Sequence, residues 1–482
     1  MERHPRILPG AFLAALGLVV TACADTAAPP TGPDATAPSF SAVAAGSDYL
    51  VIATTEALPA DFEARMRAAG GAVRQVYPQI GVAVVRSDDP AFDARAAGLP
   101  GIDAVVPNLR IQWHEPVEES PVLEAAGDAA ESASFGDDET FYALQWAPGA
   151  IHAPEAWAAG YTGAGVRVAV LDGGIHDRHV DLDDNLDVAA STSFVPGTAF
   201  NEDLGTFWHG THVAGIIAAE DNGIGTIGIA PDATIIGVKV LHGGSGDFDW
   251  ILGGILYAAT PRAEGGAGAD IINMSLGALL DEKLKPFKQA IDAFMKAIDR
   301  ATAYAHKRGV LVIAAAGNDA IDTDSLKTLT FTPAANRHVV SVAATAPLGW
   351  ALGATDFDRP ASYTNFGRAL IDIAGPGGDF ALPGDDLCAV DTTIGPIVQP
   401  CWVFDMVVST VRGGPTSTAS YSWSAGTSMA APAVAGVAAL ILQRHSDIPP
   451  AELRSRLLES AAGAGKDPYS GRGFVDALNG VL

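Results

Sequence analysis

Basic side chains are scarce in this chain. Its 482 residues carry 29 Lys and Arg against 56 Asp and Glu, a formal net charge of -27. Such a field repels phosphate backbones and anionic headgroups, so nucleic acid and a peripheral membrane surface are excluded as partners. Long apolar runs are lacking too. The run at the N-terminus, Ala11 to Val20, is too short to span a bilayer, but behind Arg3, His4 and Arg6 it fits an export signal. Cysteine is sparse: there are three, so any single pair leaves one over. Against these shortages, 48% of the residues are hydrophobic and only 18% charged, enough for a large core in more than one folded unit.

Val20 to Cys23, "VTAC", resembles the lipobox of bacterial lipoproteins, in which the cysteine is lipidated and becomes the mature N-terminus. Residues 1–22 are read as a signal peptide of that type and Cys23 as the lipidation site. Ordinary cleavage after "ACA", Ala22 to Ala24, is the alternative and would release a soluble protein. The location is extracytoplasmic either way: secreted, or lipid-anchored at the cell surface or outer membrane of a bacterium. Any membrane contact is through that lipid alone. If Cys388 and Cys401 pair in an oxidising compartment, Cys23 is the odd thiol that a lipid explains; two free thiols are the alternative.

Residues 23–47 are Ala, Pro, Thr, Ser and Gly with hardly an apolar anchor, a flexible tether. Residues 48–113 alternate as strand, helix, strand, strand, helix, strand, the split ferredoxin-like order of a small α+β domain. Between Glu115 and Thr140 lie nine acidic residues and no Lys or Arg, which predicts an exposed, cleavable linker over 114–140. From 141 to 482 the pattern becomes apolar runs spaced by helix-length segments: "GVRVAVLDGG", "TIIGVKVL", "ADIINMSLG", "GVLVIAAAGN" and "HVVSVAAT". These suit an α/β domain with a mainly parallel sheet covered on both faces, with reactive groups at the carboxyl ends of its strands.

Three segments carry the chemistry. "VAVLDGGI" puts Asp172 at a strand end, "HGTHVAG" begins with His209, and "GTSMAAP" holds Ser428. A serine hydroxyl needs a base to take its proton as it attacks, and an imidazole oriented by a buried carboxylate supplies one. Singly, Asp172 could cap a helix, His209 sit in the core and Ser428 merely pack. A two-histidine metal pair, His209 with His212, lacks a third ligand in reach. Together and in this order the segments resemble the subtilisin-like serine peptidases, whereas an α/β-hydrolase runs Ser, Asp, His.

The resemblance implies a serine endopeptidase with no catalytic cofactor, acting on proteins or peptides through an acyl-enzyme on Ser428. It implies Asn318, at the end of "LVIAAAGN", as the oxyanion-hole amide. Ser275, Leu276 and Gly277 are to line the substrate pocket opposite Ala315 and Ala316, with Gly243, Gly244, Ser245 and Gly246 as the second edge that sandwiches an extended peptide. Thr427 is read as a neighbour only, and Gly426 as allowing a tight turn. The family's calcium site maps onto the side chains of Asp181 and Asn222 and the carbonyls of Glu220, Ile224 and Thr226, with Gln145 a weak addition. The stretch 281–300 reads as an inserted charged helical segment. The 48–113 domain resembles an inhibitor-type propeptide, so autocleavage is expected between Trp113 and Phe141, and the peptidase is expected to be monomeric. A catalytically dead binding protein on the same fold is disfavoured because all three triad residues and Asn318 are present.

Overall fold

In the computed structural model the described residues are 47–113, 118–119, 122–125, 138–281, 283, 288–461 and 467–482. The signal peptide, Cys23, the tether up to residue 46 and most of the acidic stretch lie outside them.

The N-terminal unit contains β1 (Ser47–Ala53), α1 (Phe62–Ala68), β2 (Ala72–Tyr77), β3 (Val82–Ser87), α2 (Phe92–Ala97) and β4 (Ile102–Pro107), in a sheet ordered β2-β3-β1-β4. The run "YLVIA" in β1 has no polar alternation because both faces are covered. Tyr49 and Val51 pack on Phe62, Met66 and Phe92 of the unit's own helices, while Leu50 and Ile52 share a cluster with Phe248, Ala293 and Ala297 of the larger domain. Two short strands, β5 (Arg110–Gln112) and β6 (Glu118–Glu119), then β7 (Leu123–Glu124), lead out of it, and the small helices α3 (Ala147–Ala150) and α4 (Ala153–Ala158) open the larger domain.

That domain is built on seven parallel strands: β8 (Arg167–Asp172), β9 (Thr192–Ser193), β10 (Thr234–Lys239), β12 (Ile271–Met274), β14 (Leu311–Ala315), β16 (Val339–Thr345) and β17 (Ile373–Pro376), ordered β17-β16-β14-β12-β8-β10-β9. The order reverses at β8, which opens a crevice at the carboxyl ends of β8 and β12, where ligands bind in sheets of this kind. Helices α5 (His209–Ala218), α6 (Phe248–Ala259) and α7 (Lys288–Lys307) are followed near the C-terminus by α8 (Thr427–Arg444) and α9 (Pro450–Ser460). Short strands β11 (Ser245–Asp247), β13 (Ala278–Asp281) and β15 (Leu329–Thr332) border the crevice, and β18 (Leu387–Thr392) pairs with β19 (Gly395–Pro400) as a hairpin. The hairpin's base is closed by the Cys388–Cys401 disulfide. Finally β20 (Val407–Val411) pairs with β21 (Ser420–Ala425), which runs directly into the start of α8.

The charged segment 281–300 is helical from Lys288 onward, as expected, and forms much of α7, a 20-residue amphipathic helix. Its apolar stripe (Ala290, Ile291, Phe294, Ala297, Ile298) packs inward, while Lys296 pairs with Asp103 at 2.7 Å and Arg300 donates to the carbonyls of Ala53 and Ile80. The described parts of the 114–140 stretch correct the reading of it as an exposed linker. Glu118–Glu119 and Leu123–Glu124 add to β21, and Glu139 is 1% exposed.

Candidate active site

Asp172 ends β8, and the next residue, Gly173, donates its N–H to Asp172 Oδ1 at 2.6 Å. Both carboxylate oxygens lie 2.8 and 2.9 Å from Nδ1 of His209, the first residue of α5. That carboxylate fixes the proton on Nδ1 and makes Nε2 the basic nitrogen. The residue after His209 has to be glycine. A Cβ on Gly210 would lie 2.6 Å from the Gly174 carbonyl and 3.0 Å from Asp172 Cβ, pushing the imidazole off its carboxylate.

Ser428 is the second residue of α8, at the positive end of an 18-residue helix dipole. Its hydroxyl donates to the Ser275 carbonyl at 3.2 Å, and Ser275 Oγ donates back to the Ser428 carbonyl at 2.7 Å. Ser275, expected only as a pocket residue, therefore also holds the nucleophile's turn against the end of β12. Gly426 corrects the expectation of a tight turn. Its backbone is extended (φ 167, ψ 159), and the reason for glycine is proximity, since a Cβ would come 3.1 Å from Asn318 Nδ2.

Asn318 lies beyond β14, in line with Asp172 along the sheet's carboxyl edge. Its Oδ1 accepts from the Thr427 N–H at 2.9 Å and from Thr427 Oγ1 at 2.7 Å, while Thr427 Oγ1 accepts from the Gly317 N–H at 3.0 Å. Thr427 is thus more than a neighbour. By occupying the amide oxygen with two donors it fixes which way the amide faces and leaves Nδ2 as the donating end.

The two histidines of "HGTH" have different surroundings. His212 is fully buried, stacked on Phe207, with Nε2 against the Ser422 carbonyl at 3.1 Å, and burial pushes its pKa down to about 3. It is a neutral core imidazole. A feature missed in the sequence is Lys239, paired in register with Asp172 across β10 and β8 and 1% exposed. Its ammonium donates to the carbonyls of Gly173 and Leu241 and stands 3.7 Å from Asp203, so it ties down the loop after Asp172. Burial lowers its pKa in spite of that carboxylate. Only its place in "VKVL", a lysine within a fully apolar strand, could have signalled a buried cation.

The stretch expected as the second edge pairs with the segment that leaves the N-terminal unit. Ser245–Asp247 pairs antiparallel with Arg110–Gln112, the Trp113 N–H donates to the Gly244 carbonyl at 2.9 Å, and its indole donates to the Gly246 carbonyl at 3.2 Å. Gly243 and Gly244 have φ of 57 and 73, left-handed values that favour glycine. On the first edge Gly277 lies against the Phe331 ring and Leu276 is buried beside it. Ala315 and Ala316 diverge: Ala315 faces the cluster around α8, while Ala316 faces that of Leu276 and Phe331, so the wall they offer together is backbone.

Asp181, Glu220, Asn222, Ile224 and Thr226 come together at one loop. Asp181 Oδ2 accepts from Thr226 N and Oγ1, and Asn222 Oδ1 from Ile224 N. Gln145 stands at the edge of the same loop, its amide paired both ways at 2.9 Å with the backbone of Ile227, the residue after Thr226. The carboxylate that joins the loop is Glu139, from the stretch read as a linker. Its Oε1 accepts from the N–H groups of Asn222 and Gly223, and its other oxygen is buried without a donor among the described residues, while the Tyr421 hydroxyl stands beside the Asp181 carboxylate. Ligand atoms of Asp138, Glu139 and Asp221 lie within 4.8 Å of one another. Burial, and for Asp181 the nearby Glu139, pushes both carboxyls up, Glu139 to about 8. Hard oxygens with unsatisfied buried charge fit a divalent cation of the calcium type.

A hydroxyl on a helix N-terminus, a carboxylate-oriented imidazole on the neighbouring helix and an amide donor beside them define a serine hydrolase, and two strand edges flanking them define its substrate as an extended peptide. The subtilase family model matches residues 163–476. Subtilisin NAT of Bacillus subtilis subsp. natto is 34% identical over 328 residues, 68% of this chain and 68% of that protein. A subtilisin of Bacillus pumilus is also 34% identical, over 68% of this chain and 94% of its own length. The epidermin leader peptide processing serine protease of Staphylococcus aureus shares the fold, with a TM-score of 0.67 at 22% identity over 90% of this chain and 97% of that one. The chain belongs to the subtilase family, and it is a serine-type endopeptidase acting on peptide substrates.

Proposed function

We propose that the protein is an exported zymogen whose Asp172, His209 and Ser428 hydrolyse protein amide bonds through an acyl-enzyme. The observation that carries this is the carboxylate pair of Asp172 at 2.8 and 2.9 Å from His209 Nδ1, beside the helix that bears Ser428. Ser428 Oγ bonds to the substrate carbonyl carbon as its proton passes to His209 Nε2. The oxyanion is received by Asn318 Nδ2 and the N-terminal backbone of α8, and His209 then gives the proton to the leaving amine. Water repeats the sequence on the ester and frees the acid. A fluorophosphonate is expected to label the processed enzyme at Ser428 stoichiometrically; labelling that survives Ser428→Ala, or is absent from the wild type, overturns this reading.

In the full-length chain the segment is strand-paired on either side of residues 114–117: Arg110–Gln112 on Ser245–Asp247, and Glu118–Glu119 on Ala425 and Ser424, just ahead of the helix that bears Ser428. This supports an autoprocessing bond between Trp113 and Glu118, a narrower window than composition allows, with residues 48–113 acting as an intramolecular inhibitor. The N-terminal "VTAC" supports export with lipidation at Cys23, in a bacterial extracytoplasmic setting, and the peptidase acts as a monomer.

The loop of Asp181, Glu139, Asn222 and the carbonyls of Glu220, Ile224 and Thr226 is proposed to hold one structural calcium, which when bound supplies charge neutralisation and no catalytic step. Chelation is expected to lower the thermal midpoint by about 5 °C or more, the scale of a ligand at a hundredfold its dissociation constant. Glu139→Gln is expected to abolish most of that difference. Equal midpoints of the wild type with and without chelator, by calorimetry, rule the ion out.

A further inference from the structure

One edge of β21 is paired with β20; among the described residues the other carries β6 and β7. Glu119 and Glu118 stand opposite Ser424 and Ala425, Leu123 and Glu124 opposite Tyr421 and Ser420, and the Ala125 N–H donates to the Ala419 carbonyl at 3.0 Å. The segment therefore runs antiparallel to β21, away from Ser428, on the side opposite the Arg110–Gln112 pairing. At its far end the Glu124 carboxylate is gripped: Oε1 accepts from Ser420 Oγ at 2.6 Å and Oε2 from Ser417 Oγ at 2.5 Å, with the two hydroxyls 2.6 Å apart. Room for this grip depends on Gly413, whose φ is 60 and on which a Cβ would stand 1.8 Å from Ser420 Oγ and 3.3 Å from Glu124 Oε1. Leu123 and Ala125 are half-buried against the catalytic core.

A strand edge six residues long, leading straight to the nucleophile, is a template for an extended chain. We propose that this edge is a docking strand for the leaving-group side of acidic peptides, with Ser417 and Ser420 receiving a carboxylate, that the chain's own Leu123–Ala125 fills it before cleavage, and that this segment, left with a free N-terminal end by the cut after Trp113, yields the edge to substrate. The proposal rests on the peptidase reading above and adds a selectivity at a distance from the bond cut. Backbone pairing supplies the attachment; two hydroxyls aimed at one carboxylate supply the preference, since hydrogen bonds to an ionised acceptor are stronger than those to an amide.

The test takes a fluorogenic peptide that the processed enzyme cleaves and extends it on its leaving-group side with the sequence of residues 118–125, carrying either Glu or Gln at the position of Glu124. The Glu peptide is expected to show about tenfold higher kcat/KM, mainly through KM, and the ratio to fall to about one in the Ser417→Ala/Ser420→Ala enzyme. Equal kcat/KM for the two peptides, or a ratio that persists in the double variant, overturns the docking strand while cleavage of the unextended peptide leaves the peptidase reading standing. If no peptide is cleaved at all, both fall. In the full-length Ser428→Ala chain, Glu124→Gln is further expected to speed hydrogen exchange at the Ala125 amide tenfold or more; unchanged exchange counts against the grip.

Discussion

Replacing Ser428 by alanine is expected to lower kcat on casein by about 10⁶-fold, the scale of loss on removing the serine of subtilisin, and to leave the chain uncut. Both effects follow from one geometry. The hydroxyl sits at the start of α8 against the Ser275 carbonyl, and among the described residues its neighbouring hydroxyls are committed: Ser275 donates to the Ser428 carbonyl, and Thr427 to Asn318. A variant chain of full length on a gel, beside a wild type whose new N-terminus falls between residues 114 and 118, is the predicted pair of results. A wild-type start outside that window disproves the proposed bond, and a Ser428→Ala chain that is still cut at the same rate disproves cleavage by its own nucleophile.

Asn318→Ala is expected to lower kcat by 10²- to 10³-fold with little change in KM, the 2.7–4 kcal/mol reported for a lost oxyanion-hole donor in the relative subtilisin. Thr427→Val removes the hydroxyl that holds Asn318 Oδ1 at 2.7 Å and leaves its backbone donor at 2.9 Å, so the amide can rotate away; a loss of about tenfold in kcat is expected. Because Thr427 acts through Asn318, adding Thr427→Val to Asn318→Ala should cost little more. Fully additive losses in this cycle would show that Thr427 touches the oxyanion itself.

The proposed triad could be nominated from sequence because each member sits in a local pattern that survives without tertiary knowledge: a carboxylate ending an apolar strand, a histidine before glycine, a serine among residues too small to crowd it; of these, the structure brings Asp172 and His209 into contact. Asn318 could be nominated for the same reason. What escaped were contacts made by residues distant in sequence. Glu139 belongs by composition to an acidic stretch, and only folding brings it over the Asn222–Gly223 backbone. Thr427 looks like any helix-starting threonine until Asn318, 109 residues away, arrives beside it. The pairing of residues 118–125 with β21 was hidden because charged, proline-containing sequence reads as linker, and a strand added to an existing edge needs no apolar alternation of its own. Residues 281–300 were legible as a charged helix; what was hidden is the apolar stripe beneath the charges and that two of them, Lys296 and Arg300, contact the N-terminal unit.

The doubly apolar β1 has a consequence for what happens after the chain is cut. Leu50, Ile52, Val82, Val84, Ala104 and Val106 form one face of the N-terminal sheet and are buried against the catalytic domain, and Asn108 and Arg110 add hydrogen bonds to Asp249 and Asp247. Separation would put that whole face into water, so breaking one peptide bond does not part the two halves. Under the proposed autoprocessing, the N-terminal unit is expected to stay as a bound subunit, with activity released on the clock of its unfolding or digestion. With the proposed lipid on Cys23, the same contact moors the processed enzyme to its membrane for as long as that clock runs.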